Sequence, residues 1–119
     1  APAKAFVAPT GPVAVEKPLG PLDLNLVVDP AKAGRNAIHL YLLKSNGQPA
    51  TVAETNLSAS LPSRGIGPLR WKAQLLAPGH YAVYGAHLAI PGDWQLRVDA
   101  RQGQFAAYDT TVSIPVREG

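Results

Sequence analysis

The sequence predicts an all-β protein, an immunoglobulin-like antiparallel β-sandwich of about seven strands. Three observations support this prediction. Apolar and polar residues alternate within short segments, as they do in strands that bury one face. Twelve prolines and eleven glycines among 119 residues supply many turns. No segment has the 3.6-residue period of an amphipathic helix, and short strands separated by turn residues are typical of this class of sandwich.

A chain of 119 residues is long enough for one domain with a modest core. Residues 1–20 hold four prolines among alanines and valines, and they predict an extended lead-in or tether. The β-sandwich domain is therefore expected to cover residues 21–117.

The first three predicted strands are separated by turn signals. Residues 21–29 alternate leucines and valines with polar residues, and residues 36–43 alternate a core face with a face that carries His39. The Asn46–Gly47 pair tolerates the positive φ angles of a type I′ turn. We therefore expect a hairpin that leads into the third strand, over residues 50–61.

The last four predicted strands follow at similar spacing. They cover residues 69–76, residues 80–84 up to a break at Gly85, residues 94–101 and residues 108–116. The third of these four has the cleanest alternation in the chain.

Three aromatic residues have a structural interpretation. Trp94 and Trp71 are expected to fill the core, because large aromatic side chains contribute much buried area. Tyr81 follows a Pro-Gly turn at a sheet corner. Its hydroxyl is expected to form a hydrogen bond back to the main chain, as in a tyrosine corner.

Composition argues against several function classes. The net charge is +3, but the eleven Lys and Arg residues are scattered and form no basic run, which argues against a nucleic-acid partner. The absence of cysteine removes thiolate metal sites and cysteine nucleophiles. Ser63 is not in a nucleophile elbow, and no Gly-rich phosphate loop is present. We therefore expect neither an enzyme nor a small-molecule substrate.

The candidate metal ligands are His80, His87, Asp93 and His39. His80 and His87 are seven residues apart, so a straight strand would place them on opposite faces. A bulge at Gly85 would bring them to the same face. Three imidazoles and a carboxylate suit Cu(II) or Zn(II). In the alternative interpretation, each histidine is an ordinary surface residue that forms local hydrogen bonds.

The segments "AGRNAIHLYLLKSNGQPA", "SRGIGP" and "PGHYAVYGAHLAIPGDWQLRVDAR" together resemble the YtkA-like domain, over residues 22–116. That domain is found at the carboxyl end of bacterial copper-resistance and copper-transport proteins of the CopC/CopD type. Four motifs carry the resemblance. A Gly-x-Asn strand entry lies at Gly34–Asn36, and an Asn-Gly turn lies at Asn46–Gly47. A Gly-x-Tyr strand start lies at Gly79–Tyr81, and a Gly-x-Trp strand start lies at Gly92–Trp94.

The resemblance implies an immunoglobulin-like fold at the periplasmic or extracellular face of the cytoplasmic membrane, with residues 1–20 as the tether. It implies two kinds of partner, the membrane portion of the domain's own parent protein and other copper-handling proteins. Because the chain has no Met and no Cys, any copper bound here is expected to be Cu(II), since Cu(I) prefers sulfur ligands. The expected role is interaction or weak Cu(II) relay. The alternative is a structural or adhesive sandwich with no metal role.

Overall fold

The computed structural model describes the backbone of residues 5–7 and the whole of residues 11–118. Within these ranges, no helix is long and apolar enough to cross a membrane. A short 3₁₀ turn, Pro62–Arg64, interrupts a chain that is otherwise built from strands. The described strands are β1 (Ala5–Val7), β2 (Val13–Leu19), β3 (Leu22–Asp29), β4 (Gly34–Leu43), β5 (Glu54–Leu61), β6 (Ile66–Lys72), β7 (Gln74–Ala77), β8 (His80–Leu88), β9 (Gly92–Arg101) and β10 (Ala107–Val116).

The strands form two antiparallel sheets that pack face to face. The first sheet has six strands in the order β1-β2-β3-β4-β8-β7, and the second has four in the order β10-β9-β5-β6. The order β3-β4-β8-β7 opposite β10-β9-β5-β6 is that of the A-B-E-D and G-F-C-C′ sheets of an immunoglobulin sandwich. The predicted fold class is confirmed, and β2 and β1 extend the first sheet beyond β3.

The core lies between the two sheets, where the alternation of each strand directs its apolar residues inward. Trp94 of β9 is 0% exposed, and its indole N–H donates a hydrogen bond to the carbonyl oxygen of Ile90 at 2.9 Å. Trp71 of β6 is half-buried and packs against the margin of the core. Trp94 therefore fills the core as expected, whereas Trp71 is only partly buried at its edge.

The structure corrects the domain boundary that the sequence predicts at residue 21. Residues 13–19 form β2, which pairs with β3 and buries the apolar side chains of Val13, Val15 and Leu19. These residues alternate with period 2, but the nearby prolines hide that pattern in the sequence. Residues 1–4 and 8–10 of the predicted lead-in lie outside the described residues.

Residues 69–76 do not form one strand as predicted. They are shared between β6 and β7, which lie in different sheets, and Ala73 is the residue between them. Ala73 is buried, and its N–H donates to the carbonyl oxygen of Thr55 at 2.9 Å. The chain therefore crosses from one sheet to the other at this residue, and alternation alone does not reveal such a crossing.

The hairpin expected at the Asn46–Gly47 pair forms, but its turn is not of type I′. A β-turn forms, because the N–H of Gly47 donates to the carbonyl oxygen of Lys44 at 2.8 Å. Gly47, with φ of +85°, is thus the fourth residue of this turn and not a central residue of a type I′ turn.

Beyond the turn, Leu43 pairs antiparallel with Pro49, and the N–H of Ala50 donates to the carbonyl oxygen of Leu42 at 2.9 Å. The expected hairpin is therefore present as a short pairing, and it leads into β5, which lies in the other sheet.

Replacing Trp94 with Ala should lower the free energy of unfolding by roughly 3–5 kcal/mol, because it leaves a cavity in a fully buried site. Urea denaturation followed by circular dichroism measures this loss. Trp71→Ala is the matched control and should cost less, since Trp71 is only half-buried. Equal losses for the two variants would contradict the burial difference between the two sites.

Deleting residues 1–19 should destabilise the domain by more than about 3 kcal/mol, because burying one Val or Leu side chain contributes roughly 1.5–3 kcal/mol and β2 buries three. Deleting residues 1–10 removes β1 but keeps β2, and it should cost much less. Thermal melts of the two truncated chains test this difference. If both truncated chains had the melting temperature of the full chain, β2 would not contribute to the stability of the domain.

Candidate functional site

His39 and His80 meet on the outer face of the six-stranded sheet. His39 lies on β4 and His80 is the first residue of β8, and these two strands are neighbours. The register pairs Tyr41 with His80 and His39 with Ala82, so both imidazoles lie on the same face of the sheet. Nδ1 of His39 lies 3.0 Å from Nε2 of His80. Two residues that are 41 positions apart in sequence therefore form one contact.

Buried neighbours fix the backbone that presents each histidine. His39 stands between Ile38 and Leu40, which are both fully buried on the opposite face of β4. His80 stands between Gly79 and Tyr81, and both of these residues are buried. The two imidazoles are thus held by strands whose inner faces belong to the core.

Gly79 and Tyr81 tie the start of β8 to the loop between β4 and β5. Gly79 has φ of +69°, and a Cβ at this position would lie 2.8 Å from the carbonyl oxygen of Leu42, so only glycine fits. The Tyr81 hydroxyl accepts a hydrogen bond from the N–H of Val52 at 2.8 Å and donates one to the carbonyl oxygen of Val52 at 3.0 Å. The expected bond from this hydroxyl to the main chain is confirmed, and it leaves His80 little freedom to move.

Two tyrosines hold the imidazole rings in place. Tyr41 stacks on His80, with ring centroids 4.3 Å apart and an interplanar angle of 13°. Tyr84 meets His39 edge to face, with centroids 5.8 Å apart and an angle of 86°. Ala82 points to the same face but is only 1% exposed, so the surrounding side chains cover it. We call His39, Tyr41, His80 and Tyr84 the imidazole cluster.

The pKa of His80 is lowered from its usual 6.5. Partial burial is the larger cause, because it removes water from the charged form, and the positive charge of a protonated His39 is the second cause. Both causes favour an unprotonated His80 at neutral pH. An unprotonated imidazole is the form that binds a metal ion.

The structure places His87 on the same face as His80, as expected for a bulge at Gly85. The β4–β8 register shifts between Asn36 and Ile38, and Gly85 has φ of +69°, so the strand continues through Gly85 with one extra residue. His87 nevertheless pairs with Arg35, whereas His80 pairs with Tyr41, six residues away along β4. At the rise of a β-strand, this spacing separates the two histidines by about 20 Å.

Asp93 lies on β9, on the exposed face of the other sheet. It pairs with Pro115, and the core lies between it and the imidazole cluster. Of the four candidate ligands, the fold therefore brings together His39 and His80 and separates them from His87 and Asp93. The described residues contain no group of three or more His, Cys, Asp or Glu residues arranged to hold a metal ion.

The 3.0 Å separation of the two ring nitrogens allows two kinds of interaction. One nitrogen can donate a proton to the other, as in an ordinary hydrogen bond. Alternatively, both lone pairs can bind one metal ion. With metal–nitrogen distances of about 2.0–2.1 Å, this separation corresponds to an angle of about 95° at the metal. That angle suits adjacent positions of the tetragonal geometry that Cu(II) prefers, whereas a tetrahedral angle needs about 3.3 Å between the nitrogens.

Sequence reasoning did not single out Tyr41 and Tyr84 as candidates for a functional site. A signal was nevertheless present, because each tyrosine shares the period-2 face of a histidine on its own strand, His39 for Tyr41 and His80 for Tyr84. The pairing of β4 with β8 converts these two separate faces into one surface.

The lowered pKa of His80 predicts a loss of stability in mild acid. The unfolded chain binds a proton at His80 near pH 6.5, while the folded chain binds it only at a lower pH. The free energy of unfolding should therefore fall as the pH falls below about 6.5 and through the folded pKa. Urea denaturation at pH 7.5 and pH 5 measures the difference.

His80→Gln should reduce this difference between the two pH values. His87→Gln removes a histidine outside the cluster and should leave the difference in place. An unchanged difference in His80→Gln would show that His80 does not cause the loss.

No protein-family model matches the chain, and neither a curated protein nor a solved structure matches it. The contact between His39 and His80 is therefore the observation on which a function can be proposed.

Proposed function

We propose that this chain is an extracytoplasmic β-sandwich module that binds Cu(II) weakly through His39 and His80. Its role in this proposal is to hold and pass on the ion as part of a copper-handling membrane protein, without catalysing a reaction. The observation that carries the proposal is the 3.0 Å separation of His39 Nδ1 and His80 Nε2.

The chemistry of the pair supports Cu(II) as its ligand. Imidazole nitrogens suit Cu(II), and the 3.0 Å separation fits two adjacent positions of its preferred geometry. The chain has no Cys and no Met, which are the ligands that Cu(I) prefers. Two protein ligands leave the other coordination positions open, as in sites that exchange a ligand. Weak and exchangeable binding is the consequence.

The cellular setting in this proposal comes from the resemblance to the YtkA-like domain. It supports a location at the periplasmic or extracellular face of the cytoplasmic membrane. It also supports two partners, the membrane portion of the domain's own parent protein and other copper-handling proteins. The solvent-facing position of the pair is compatible with transfer of an ion to such a partner.

Titrating Cu(II) at neutral pH should broaden the ring signals of His39 and His80 together, at one equivalent or less, in the NMR spectrum. His39→Ala and His80→Ala should each weaken Cu(II) binding by more than about tenfold. Losing a residue that only hydrogen-bonds to a metal ligand already lowers metal affinity by about that factor, and losing the ligand itself should lower it at least as much. Affinity should fall in mild acid, since protons compete for the imidazole nitrogens, and the lowered pKa of His80 delays that competition to a pH below its usual 6.5.

His87→Ala is the matched control, because it removes the histidine that lies about 20 Å from His80 on the same face. Its Cu(II) affinity should equal that of the unchanged chain. Equal broadening of all three histidines, and only at large excess of Cu(II), would refute the metal proposal.

The exposed tyrosines support the alternative function of an adhesive or structural domain. Tyr84 is 58% exposed and Tyr41 is 37% exposed, and tyrosines are enriched at protein interfaces. An adhesive domain would bind its partner equally well in the presence of a metal chelator. This insensitivity to chelation separates the alternative from the Cu(II) proposal.

A further inference from the structure

We infer that a second copy of this chain completes the metal site, so that one Cu(II) ion bridges two imidazole clusters in a symmetric dimer. This inference rests on the proposed function, because it needs His39 and His80 to bind the ion. It adds the partner and the source of the remaining ligands.

The first argument is the incomplete ligand set. The contact between His39 Nδ1 and His80 Nε2 supplies two nitrogens, and no third His, Cys, Asp or Glu joins them among the described residues. A tetragonal Cu(II) ion has four equatorial positions, so two must be filled from outside the chain. A second copy offers the same two nitrogens at the same spacing. A two-fold axis through the ion then gives four imidazole ligands.

The second argument is the position of the imidazole cluster. It lies on β4 and β8, which are the fourth and fifth of the six strands in their sheet. The cross-strand partners of its members on β3 are Asn25 and Val27, and the partner of Ala82 on β7 is Gln74. These neighbours carry no charge. A second sheet face can therefore approach the pair without desolvating an ionic group beside it.

The third argument is the charge of the sheet face. The charged side chains at outward positions of β2, β3 and β4 are three carboxylates and one guanidinium, which are Glu16, Asp23, Asp29 and Arg35. The whole chain has a net charge of +3, so the excess positive charge lies elsewhere. Two copies of a face with excess negative charge repel each other, and a divalent cation between them offsets this repulsion. The contact should therefore require the metal ion.

The fourth argument is the exposure of Tyr41 and Tyr84. Tyr41 stacks on His80 and Tyr84 meets His39 edge to face, yet the two tyrosines still expose 37% and 58% of their surface. In a two-fold arrangement, the tyrosines of one copy face those of the other around the ion. Aromatic side chains at the centre of an interface contribute strongly to binding.

Sedimentation velocity on the full chain, with Cu(II) alone as the probe, tests this inference. Without metal the protein should sediment as a monomer of 12.5 kDa. At half an equivalent of Cu(II) the mass should double, because one ion serves two chains. At a large excess of Cu(II) it should return to that of the monomer, because each chain then holds its own ion. A chelator should also restore the monomer.

Three variants sharpen the test. His39→Ala and His80→Ala should stay monomeric at every ratio, and His87→Ala should form the dimer as the unchanged chain does. Ala14→Arg places a bulky cation on the same face, two strands and about 10 Å from His39. It should bind Cu(II) as a monomer, because the ligands remain while the second copy is blocked.

The outcomes separate this inference from the proposed function. A monomer that binds one Cu(II) at all ratios would overturn the inference and leave the proposed function standing. No Cu(II) binding would overturn both. Association that persists in His39→Ala and His80→Ala would also overturn the inference, since these residues would not carry the contact.

Discussion

The pairing of β4 with β8 is the constraint on which the rest of the structure depends. It joins the four strands β1 to β4 to the two strands β8 and β7, and it buries Ile38, Leu40 and Val83 against the second sheet. The same register places His39 beside His80 on the opposite face. A slip of one residue would exchange the two faces, so the hydrophobic core enforces the contact between the histidines. The site is stabilised by the core even though neither imidazole belongs to it.

Polar contacts of the main chain support the histidines from the other side of the sheet. The Tyr81 hydroxyl satisfies both the N–H and the carbonyl oxygen of Val52, and Gly79 allows the loop to approach β8 closely. Because buried polar groups are costly when they are unpaired, this arrangement resists displacement of the start of β8. Tyr41 and Tyr84 then restrict the rings themselves. The separation of the two nitrogens is thus set by packing on both faces of the sheet.

In the proposed scheme, a proton and a metal ion compete for the same pair of nitrogens. Partial burial and the neighbouring His39 lower the pKa of His80, so the contact disfavours a second positive charge. A Cu(II) ion bound as proposed would bring a larger charge but would form bonds to both lone pairs, which a second proton cannot do. Elsewhere on this face the carboxylates of Glu16, Asp23 and Asp29 outnumber the guanidinium of Arg35, and this excess negative charge favours a cation. The same geometry therefore links protonation, metal binding and association in the proposed scheme.

The sequence by itself determined the fold class and most of the core, because alternation with period 2 is a local property of each strand. It identified His39 as an outward-facing residue for the same reason. It did not determine that they touch, that Asp93 lies on the far sheet, or that residues 69–76 divide between two sheets. It also missed β2, whose alternation is hidden among prolines. These features depend on which strands become neighbours. Only the tertiary structure decides that, because burial of all the inner faces together selects the strand order.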